Sequence, residues 1–306
     1  MDKLIDFTSY PIKVALKTLL EDKSTKQNII WATDPPKSLM IDANDKSQIT
    51  IEQLLYGSED AIQPRITKAL EEQSDRTKKK GEVFTPAWIC NKMNNLCDEE
   101  WFGEKNIFNI EDGETWKVTP PPIKFETEKS WEKYVDSRRL EITCGEAPYL
   151  VSRYNTVTGD YIPPYNRIGI LDRKLRVVNE NAKDENEWNA WVLRAFQSVY
   201  GYEYQGDNLL LARINLLLTY IEYYTEYWRK EPDEKQILKI ANTIAWNLWQ
   251  MDGLTNCVPY GKPYEEFEQI SFFKADEKKR ETVPCKIYDW RKNNSLLFMT
   301  LKKEGI

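Results

Sequence analysis

Residues 139–150 read Arg-Leu-Glu-Ile-Thr-Cys-Gly-Glu-Ala-Pro-Tyr-Leu. The first part predicts a strand over Arg139–Thr143, and the small residues that follow it, Cys144, Gly145 and Ala147, predict a tight turn that leads toward a helix. Small residues at such a turn let backbone N–H groups approach a ligand closely. A tight strand-to-helix turn without any ligand explains the same residues about as well.

Outward from this turn, strands and helices alternate along the chain from residue 85. We predict a helix after Pro86 with Thr85 as its N-cap, and further helices over Glu187–Val199 and Asn208–Trp228. We predict strands over Ser198–Tyr202, which ends at Glu203, over Asn242–Trp249, which ends at Asp252, and over Val283–Tyr288. Residues 103–130 predict an irregular insertion, and Val151–Asn179 predicts a loop excursion. Such alternation is typical of a doubly wound α/β sheet with helices on both faces.

The first 80 residues predict a separate, mostly helical or mixed region. Pro11–Leu20 has the spacing of a short helix, Asn28–Ala32 resembles a buried strand, Ile49–Leu55 fits a strand or a helix start, and Ile66–Glu72 fits a helix. Asp75–Lys80 is a basic run that fits either a solvated loop or a phosphate contact. We therefore expect two parts, residues 1–80 and residues 81–306.

Composition excludes several classes of chemistry. The chain of 306 residues has no histidine, so a Ser-His-Asp triad and an HExxH metal site are impossible. Its 5 cysteines include no CxxC pair, which predicts free thiols and no metal site. Free thiols are typical of proteins in the reducing cytoplasm, where we expect this chain. No apolar run is long enough to span a membrane, and the N-terminal residues do not resemble a secretion signal. The net charge of −6 makes DNA binding by this chain alone unexpected.

Three predicted strands end in residues that suit a nucleoside. Ligands of open α/β sheets sit at the carboxyl ends of the strands. After Cys144–Ala147, the second strand ends in Glu203, and a carboxylate there can accept hydrogen bonds from ribose hydroxyls. The third ends in Asp252-Gly-Leu254, where a carboxylate could meet the adenine amine. Each end taken singly is explained better by an ordinary structural role, but the three in order reverse that preference and favour one nucleoside pocket.

Four segments, in this order, resemble motifs of the adenine-N6 DNA methyltransferases of type I and type IIG restriction-modification systems. Gly81-Glu-Val-Phe-Thr-Pro86 looks like motif X, Glu141–Leu150 like motif I, Tyr200–Tyr204 with the following Leu211–Leu216 like motif II, and Asn247–Leu254 like motif III. Motif I departs from the family pattern at Ile142, where the family has proline, and at Ala147, where it has glycine. The resemblance implies a Rossmann-like methyltransferase sheet and S-adenosylmethionine as the cofactor.

The resemblance also implies a role for individual residues. The cofactor-binding set would be Phe84 and Thr85 near the methionine end; Glu141, Cys144, Gly145 and Ala147 around the amino acid part; Glu203 at the ribose hydroxyls; Tyr204 beside the adenine; and Asp252 at the adenine amine. Leu254, at the end of motif III, belongs to the same set. The family's catalytic motif, (D/N/S)-P-P-(Y/F), does not occur in the sequence. Ile162-Pro-Pro-Tyr165 is its nearest string, and we interpret it as an ordinary loop because Ile162 cannot bind an amine.

The missing motif predicts a split enzyme and assigns no catalytic residue to this chain. We expect it to be the S-adenosylmethionine-binding subunit of a site-specific adenine DNA methyltransferase and not to be active alone. A partner chain would carry motif IV and the target-recognition region, and it would bring this chain to double-stranded DNA. A methyltransferase-like regulatory or interaction protein without catalytic activity is the alternative. A third, weaker hypothesis is a complete small-molecule methyltransferase.

Overall fold

The computed structural model describes residues 4–36, 39, 43–56, 62–67, 85–125, 130–260 and 282–303. Its described part is a mixed α/β structure, which confirms the predicted class at that level. The strands are β1 (Asn109–Asp112), β2 (Thr115–Val118), β3 (Arg139–Ile142), β4 (Val199–Glu203), β5 (Leu248–Gln250), β6 (Lys286–Asp289) and β7 (Asn294–Leu297). The helices are α1 (Ile12–Leu20), α2 (Ile51–Tyr56), α3 (Ala87–Phe102), α4 (Ser130–Asp136), α5 (Ile170–Asn181), α6 (Glu185–Gln197), α7 (Gly206–Trp228), α8 (Glu234–Asn247) and α9 (Phe298–Lys303).

A parallel sheet of three short strands lies at the centre of the described structure. Its order is β3-β4-β5, and β4 is the middle strand. Helices α5 and α6 connect β3 to β4, and α7 and α8 connect β4 to β5. Because the strands are parallel, their carboxyl ends all lie at the same edge of the sheet. Two antiparallel hairpins, β1-β2 and β6-β7, lie outside this sheet.

The two faces of the parallel sheet are covered differently. Val199 and Leu248 belong to the main core, which also holds the buried faces of helices α5 to α8. Tyr202 and Trp249 point to the other face, where they pack with Ile287 of β6 and with the start of α9 in a smaller cluster. Helices therefore cover one face, and over β4 and β5 the β6-β7 hairpin and a short helix cover the other.

The N-terminal residues share the main core with the rest of the chain. Leu16, Leu19 and Trp31 are fully buried in it beside residues of α7 and α8. The buried guanidinium of Arg213 on α7 reinforces this contact, because it donates hydrogen bonds to the carbonyls of Leu19, Glu21, Ala245 and Leu248. One side chain thus satisfies the carbonyls that α1 and α8 leave free at their C-terminal ends.

Several local predictions hold. Helices α1, α6 and α7 and strands β3 and β4 lie within a few residues of their predicted bounds. The Ile162–Tyr165 string is a loop that contains a short 3₁₀ turn over Pro164–Asn166, as expected. The open alternative for Ile49–Leu55 resolves to helix α2. Val283–Tyr288 contributes strand β6, which pairs with β7 and not with the parallel sheet.

Other local predictions are wrong. The run Asn242–Trp249 is not a strand, because α8 continues to Asn247 and leaves only Leu248–Gln250 extended. A reciprocal cap between Asp233 and Gln236 starts that helix, and its buried residues keep helical spacing despite the β-branched side chains. Asn28–Ala32 is extended but joins no sheet; Asn28 and Ile30 form isolated bridges.

Three further expectations need correction. The N-cap of α3 is Pro86, not Thr85, and no side chain caps this helix. The insertion at 103–130 contains the β1-β2 hairpin, which the polar composition concealed. The excursion predicted over Val151–Asn179 ends at Gly169, where α5 begins. None of the helices that the structure describes has the length and the apolar character of a membrane span.

Candidate functional site

The ends of β3, β4 and β5 lie side by side at the carboxyl edge of the sheet. The backbone N–H of Gly145 donates a hydrogen bond of 2.9 Å to the Glu203 Oε2 atom, which joins the first two strand ends. The N–H of Met251 donates to the Glu203 carbonyl at 3.0 Å, so the third end is adjacent as well. The predicted residues on these tips are therefore neighbours.

The turn after β3 has an unusual backbone. Thr143, Gly145 and Ala147 all have positive φ angles, of 51°, 53° and 63°. The N–H of Ala147 closes the turn on the Cys144 carbonyl at 2.7 Å. A Cβ atom at Gly145 would meet no atom within 4 Å, so this part of the turn faces open space. We expected this turn to lead directly into a helix, but it does not, because α5 begins only at Ile170.

Ala147 has the left-handed backbone conformation that glycine adopts most readily. Its side chain is fully buried and belongs to the main core. The additional methyl group therefore packs inward and does not project from the turn. A left-handed alanine is strained by about 1 kcal/mol, and burial of a methyl group returns a similar amount. Alanine is thus compatible with the geometry of the turn.

Glu141 carries a buried carboxyl group just below this turn. Its Oε1 accepts a long hydrogen bond of 3.4 Å from the N–H of Tyr149, while its Oε2 is buried and accepts none among the described residues. Burial raises the pKa of Glu141 to about 8, and the charge of Glu203 adds to the shift. A buried acceptor without a donor is costly unless a ligand or water supplies one.

Glu203 holds the centre of the site. Its Oε1 accepts hydrogen bonds from the N–H groups of Tyr204 at 2.9 Å and Gln205 at 3.1 Å, and its Oε2 accepts the one from Gly145. Burial raises the pKa of Glu203, whereas these three N–H groups favour its ionised form. A carboxylate offers about four acceptor positions, so one remains for a further donor.

Asp252 and Leu254 form the tip after β5. One oxygen of the half-buried Asp252 carboxylate accepts the N–H of Leu254 at 2.8 Å. The side chain of Leu254 is 94% exposed, which is high for an aliphatic residue. Tyr204 lies close enough to this tip for the charge of Asp252 to affect it. Burial raises the pKa of Tyr204, and the charges of Asp252 and Asp45 raise it further.

The two remaining predicted residues are on the segment that precedes α3. The carbonyl of Thr85 accepts a hydrogen bond of 2.9 Å from the Thr156 hydroxyl. Thr85 also lies near Tyr149, whose N–H meets Glu141, so it is close to the turn after β3. Cys144 is buried at the start of that turn. Phe84 and the first three residues of the predicted motif X, residues 81–83, lie outside the described residues, as does the basic run Asp75–Lys80.

Sequence reasoning missed Asp45, Tyr260 and Gln250, which adjoin the same edge. The Tyr260 hydroxyl donates to Asp45 Oδ2 at 2.7 Å, and the Tyr260 ring lies 6.2 Å from that of Tyr204. The Gln250 amide donates to the carbonyls of Ile30 and Tyr204. No local pattern marks these residues, since each contact joins segments far apart in the sequence.

No cluster of metal-ligating side chains occurs in the described part of the chain. A small cavity beside the turn after β3 is lined by Ala87, Glu146 and Pro148, and a larger one lies elsewhere. The larger cavity, of about 610 Å³, is lined by Pro120, Pro164, Tyr223 and Tyr227, near the C-terminal half of α7. Gly206, at the strand-side end of α7, is 17 residues before Tyr223, so the two ends are roughly 25 Å apart. That cavity is thus separate from the site.

Comparisons with known proteins add no relative to this description. No family model matches the chain, and no curated protein or solved structure matches it. What this edge of the sheet can bind therefore follows from its own residues. Across the strand ends it offers the unpaired Glu141 Oε2 atom, the open turn at Gly145 and the remaining acceptor position of Glu203. The rings of Tyr204 and Tyr260 follow beside the last strand end.

Proposed function

We propose that this chain is the S-adenosylmethionine-binding part of an adenine-N6 DNA methyltransferase in a restriction-modification or related defence system. The three parallel strands would belong to the larger Rossmann-like sheet of that family. The hydrogen bond between Gly145 and Glu203 carries the proposal, because it joins the methyltransferase-like motifs I and II at one ligand-sized edge. Parallel pairing of β3 and β4 brings the two strand ends together, and this hydrogen bond holds the glycine turn on the carboxylate.

The side chains fit the three parts of the cofactor. The α-ammonium group would donate to Glu141, whose buried Oε2 has no donor among the described residues. The ribose hydroxyls would donate to the remaining acceptor position of Glu203, and the adenine amine to Asp252. Gly145 has no atoms near its missing Cβ, so its backbone can approach the amino acid part closely.

The catalytic motif would come from a different stretch of polypeptide. The 306 residues contain no (D/N/S)-P-P-(Y/F) sequence. Among the described residues, β3 pairs only with β4, so its outer edge has unpaired backbone groups. Leu140 and Ile142 on this strand are 40% and 63% exposed, on the face that the β6-β7 hairpin covers only over β4 and β5.

These features favour the addition of a strand beside β3. A long or apolar free edge is a place where another chain can pair. A parallel strand added here would end beside the turn at Cys144–Ala147, next to the bound methyl group. We therefore propose that the partner's catalytic segment docks on β3. The partner would also carry the target-recognition region and bring the chain to double-stranded DNA.

The chemistry assigned to this chain is positioning. In the assembled enzyme the target adenine would be flipped from the duplex, and its amine would attack the methyl group in line. The methyl–sulfur bond would break as the nitrogen–carbon bond forms, S-adenosylhomocysteine would be the leaving group, and the amine would lose one proton. The chain's own residues would hold the cofactor so that its methyl group faces the partner. Fixed hydrogen bonds and dipoles supply this effect without a covalent intermediate.

Calorimetric titration with S-adenosylmethionine tests the proposal. Wild-type protein should bind the cofactor, and Glu203→Ala and Asp252→Ala should each weaken binding, by roughly tenfold for one lost charged hydrogen bond. Glu226→Ala, on an exposed part of α7, is the matched control and should bind normally. If the wild type does not bind, the regulatory or interaction protein becomes the better interpretation, because only it needs no cofactor.

A further inference from the structure

The N-terminal region reaches the carboxyl edge of the sheet as a short ribbon. We call residues 29–32 together with residues 45–49 the N-terminal ribbon. The two segments pair through Trp31 N–H to the Ser47 carbonyl at 3.0 Å and through Ala32 N–H to the Asp45 carbonyl at 2.7 Å. The N–H of Ile49 donates to the Ile29 carbonyl at 2.9 Å. These bonds fix the position of Asp45 relative to Ile30 and Trp31.

The ribbon is anchored to β5 and to the start of α7. The Gln250 side chain accepts the N–H of Ile30 at 2.9 Å and donates to the Ile30 carbonyl at 2.8 Å. The N–H of Gly206 donates to the Trp31 carbonyl at 2.8 Å. A Cβ atom at Gly206 would lie 2.0 Å from the Ile30 carbonyl oxygen, so only glycine permits this approach.

From the anchored ribbon, a line of side chains leads to the residue next to Glu203. Asp45 accepts the hydroxyl of Tyr260, and the Tyr260 ring meets the Tyr204 ring edge to face. The Lys46 ammonium group lies 5.4 Å from the centre of the Tyr260 ring and contributes a cation–π contact. Tyr204 is itself fixed, since its N–H donates to Glu203 and its carbonyl accepts from Gln250.

We infer that Tyr260, held by Asp45 of the N-terminal ribbon, forms the adenine side of the cofactor site. The inference deepens the proposed function and rests on it. An adenine attached to a ribose at Glu203 would extend past Tyr204 toward Asp252, and the Tyr260 ring, 6.2 Å from the Tyr204 ring, would border it there. The N-terminal region, for which the sequence predicts no role, is thereby a wall of the site. Tyr260 would contact the base, and Asp45 would be a positioning residue that fixes its ring.

The chemistry of the contact explains why both residues are needed. The Tyr260 hydroxyl donates its proton to Asp45, so the contact that Tyr260 would offer a base is its ring. Aromatic rings contact one another best in fixed offset or edge-to-face arrangements. Without the bond to Asp45 the ring can rotate, and adenine loses a preformed surface. Removal of either partner of the bond should therefore have the same consequence.

Calorimetry on the full chain tests this inference. Tyr260→Phe and Asp45→Asn should each raise the Kd for S-adenosylmethionine roughly fivefold to tenfold, and the double variant should be no weaker than the weaker single. The preference for S-adenosylhomocysteine over S-inosylhomocysteine should fall in the same variants, which loss of stability alone would not cause. Tyr165→Phe, an exposed tyrosine on the 3₁₀ turn, is the control and should bind as wild type does.

Each other outcome excludes a different claim. If the wild type binds no cofactor, the proposed function fails. If the wild type binds and Tyr260→Phe binds equally tightly, the proposed function stands and the present inference is wrong. Additive losses in the double variant would also overturn it, because the two residues would then act separately. Tyr260→Phe keeps the ring and the fold, so it decides the question even if Asp45→Asn does not fold; melting curves check both.

Discussion

The N–H of Gly145 and the carboxylate of Glu203 are joined by a hydrogen bond of 2.9 Å, although 58 residues separate them. Gly145 lies in the turn after β3 and Glu203 is the last residue of β4. The carboxylate also accepts the N–H groups of Tyr204 and Gln205, so it organises the ends of both strands. The same atoms thus support the fold and define the proposed ribose position.

Glu203→Gln should weaken both functions of this carboxylate. The retained oxygen can still accept Tyr204 and Gln205, but the amide NH₂ would then face the N–H of Gly145, and two donors cannot bond. We expect the free energy of unfolding to fall by about 1 kcal/mol and cofactor affinity by roughly tenfold. Urea unfolding and calorimetry measure these two quantities. Glu180→Gln would be a poor control because Glu180 is hydrogen-bonded, whereas Glu226→Gln changes an exposed side chain and should be neutral.

Cofactor binding at neutral pH should release a proton from Glu141. Burial raises its pKa to about 8, so the free protein holds this carboxyl largely protonated at pH 7. A bound ammonium group would favour the ionised form and lower that pKa. Titrations in buffers of different ionisation enthalpy should detect the release of nearly one proton per cofactor. Glu141→Gln should release none, and equal proton release in both proteins would contradict the assignment.

The same carboxyl should make the free protein less stable as the pH rises. Its pKa is higher folded than unfolded, so its contribution is fully present below about pH 4.5 and is lost as the pH rises through about 8. Relative to Glu141→Gln, the wild type should lose up to roughly 4 kcal/mol between pH 4.5 and pH 9. Urea unfolding of both proteins across this range measures the difference. A constant difference would indicate that Glu141 is not buried in this way.

Thr143→Asn should stabilise the turn after β3. Thr143 is exposed and has a φ of 51°, a conformation that disfavours β-branched residues and that asparagine tolerates. We expect the free energy of unfolding to increase by about 0.5–1 kcal/mol. Thr300→Asn, at an exposed position of α9, is the control and should not be stabilising. Destabilisation by Thr143→Asn would mean that the threonine hydroxyl, which bonds the Ile142 carbonyl, matters more than the strain.

Ile142→Lys should prevent docking at β3 without affecting the cofactor site. The side chain is 63% exposed, so lysine should not disturb the fold, but a charge on an edge strand opposes strand addition. When the chain is mixed with a polypeptide that carries the catalytic motif, the variant should lose methyl transfer to DNA and keep its affinity for S-adenosylmethionine. Val157→Lys, a similarly exposed aliphatic on a loop, should keep both activities. Full activity of Ile142→Lys would exclude β3 as the docking edge.

Local patterns were sufficient for elements whose signals lie within a few turns of chain. Helices α1, α6 and α7 keep one apolar face at helical spacing, and β3 precedes small turn residues. The same reasoning failed at Asn242–Trp249, where an apolar, β-branched run indicated a strand. Its helical state depends on the cap at Asp233 and on packing against α1 and α7, which no short window contains.

The residue types of the candidate site, and their order along the chain, were readable from the linear sequence. Glu141, Gly145, Glu203 and Asp252 stand at strand ends, and periodicity alone locates strand ends to within a few residues. Their closeness was not readable, because it requires parallel pairing of β3, β4 and β5 over long sequence separations. Backbone pairing between distant segments depends on the whole core, not on local preference.

The contribution of the N-terminal ribbon is entirely a tertiary result. Asp45 and Tyr260 are separated by 215 residues, and their contact exists because Gln250 and Gly206 hold the ribbon against the strand ends. Nothing in the composition of either segment indicates the other. The sequence motifs therefore predict which residues would carry the proposed chemistry, whereas the boundary of the candidate site arises only because packing brings distant groups into hydrogen-bonding distance.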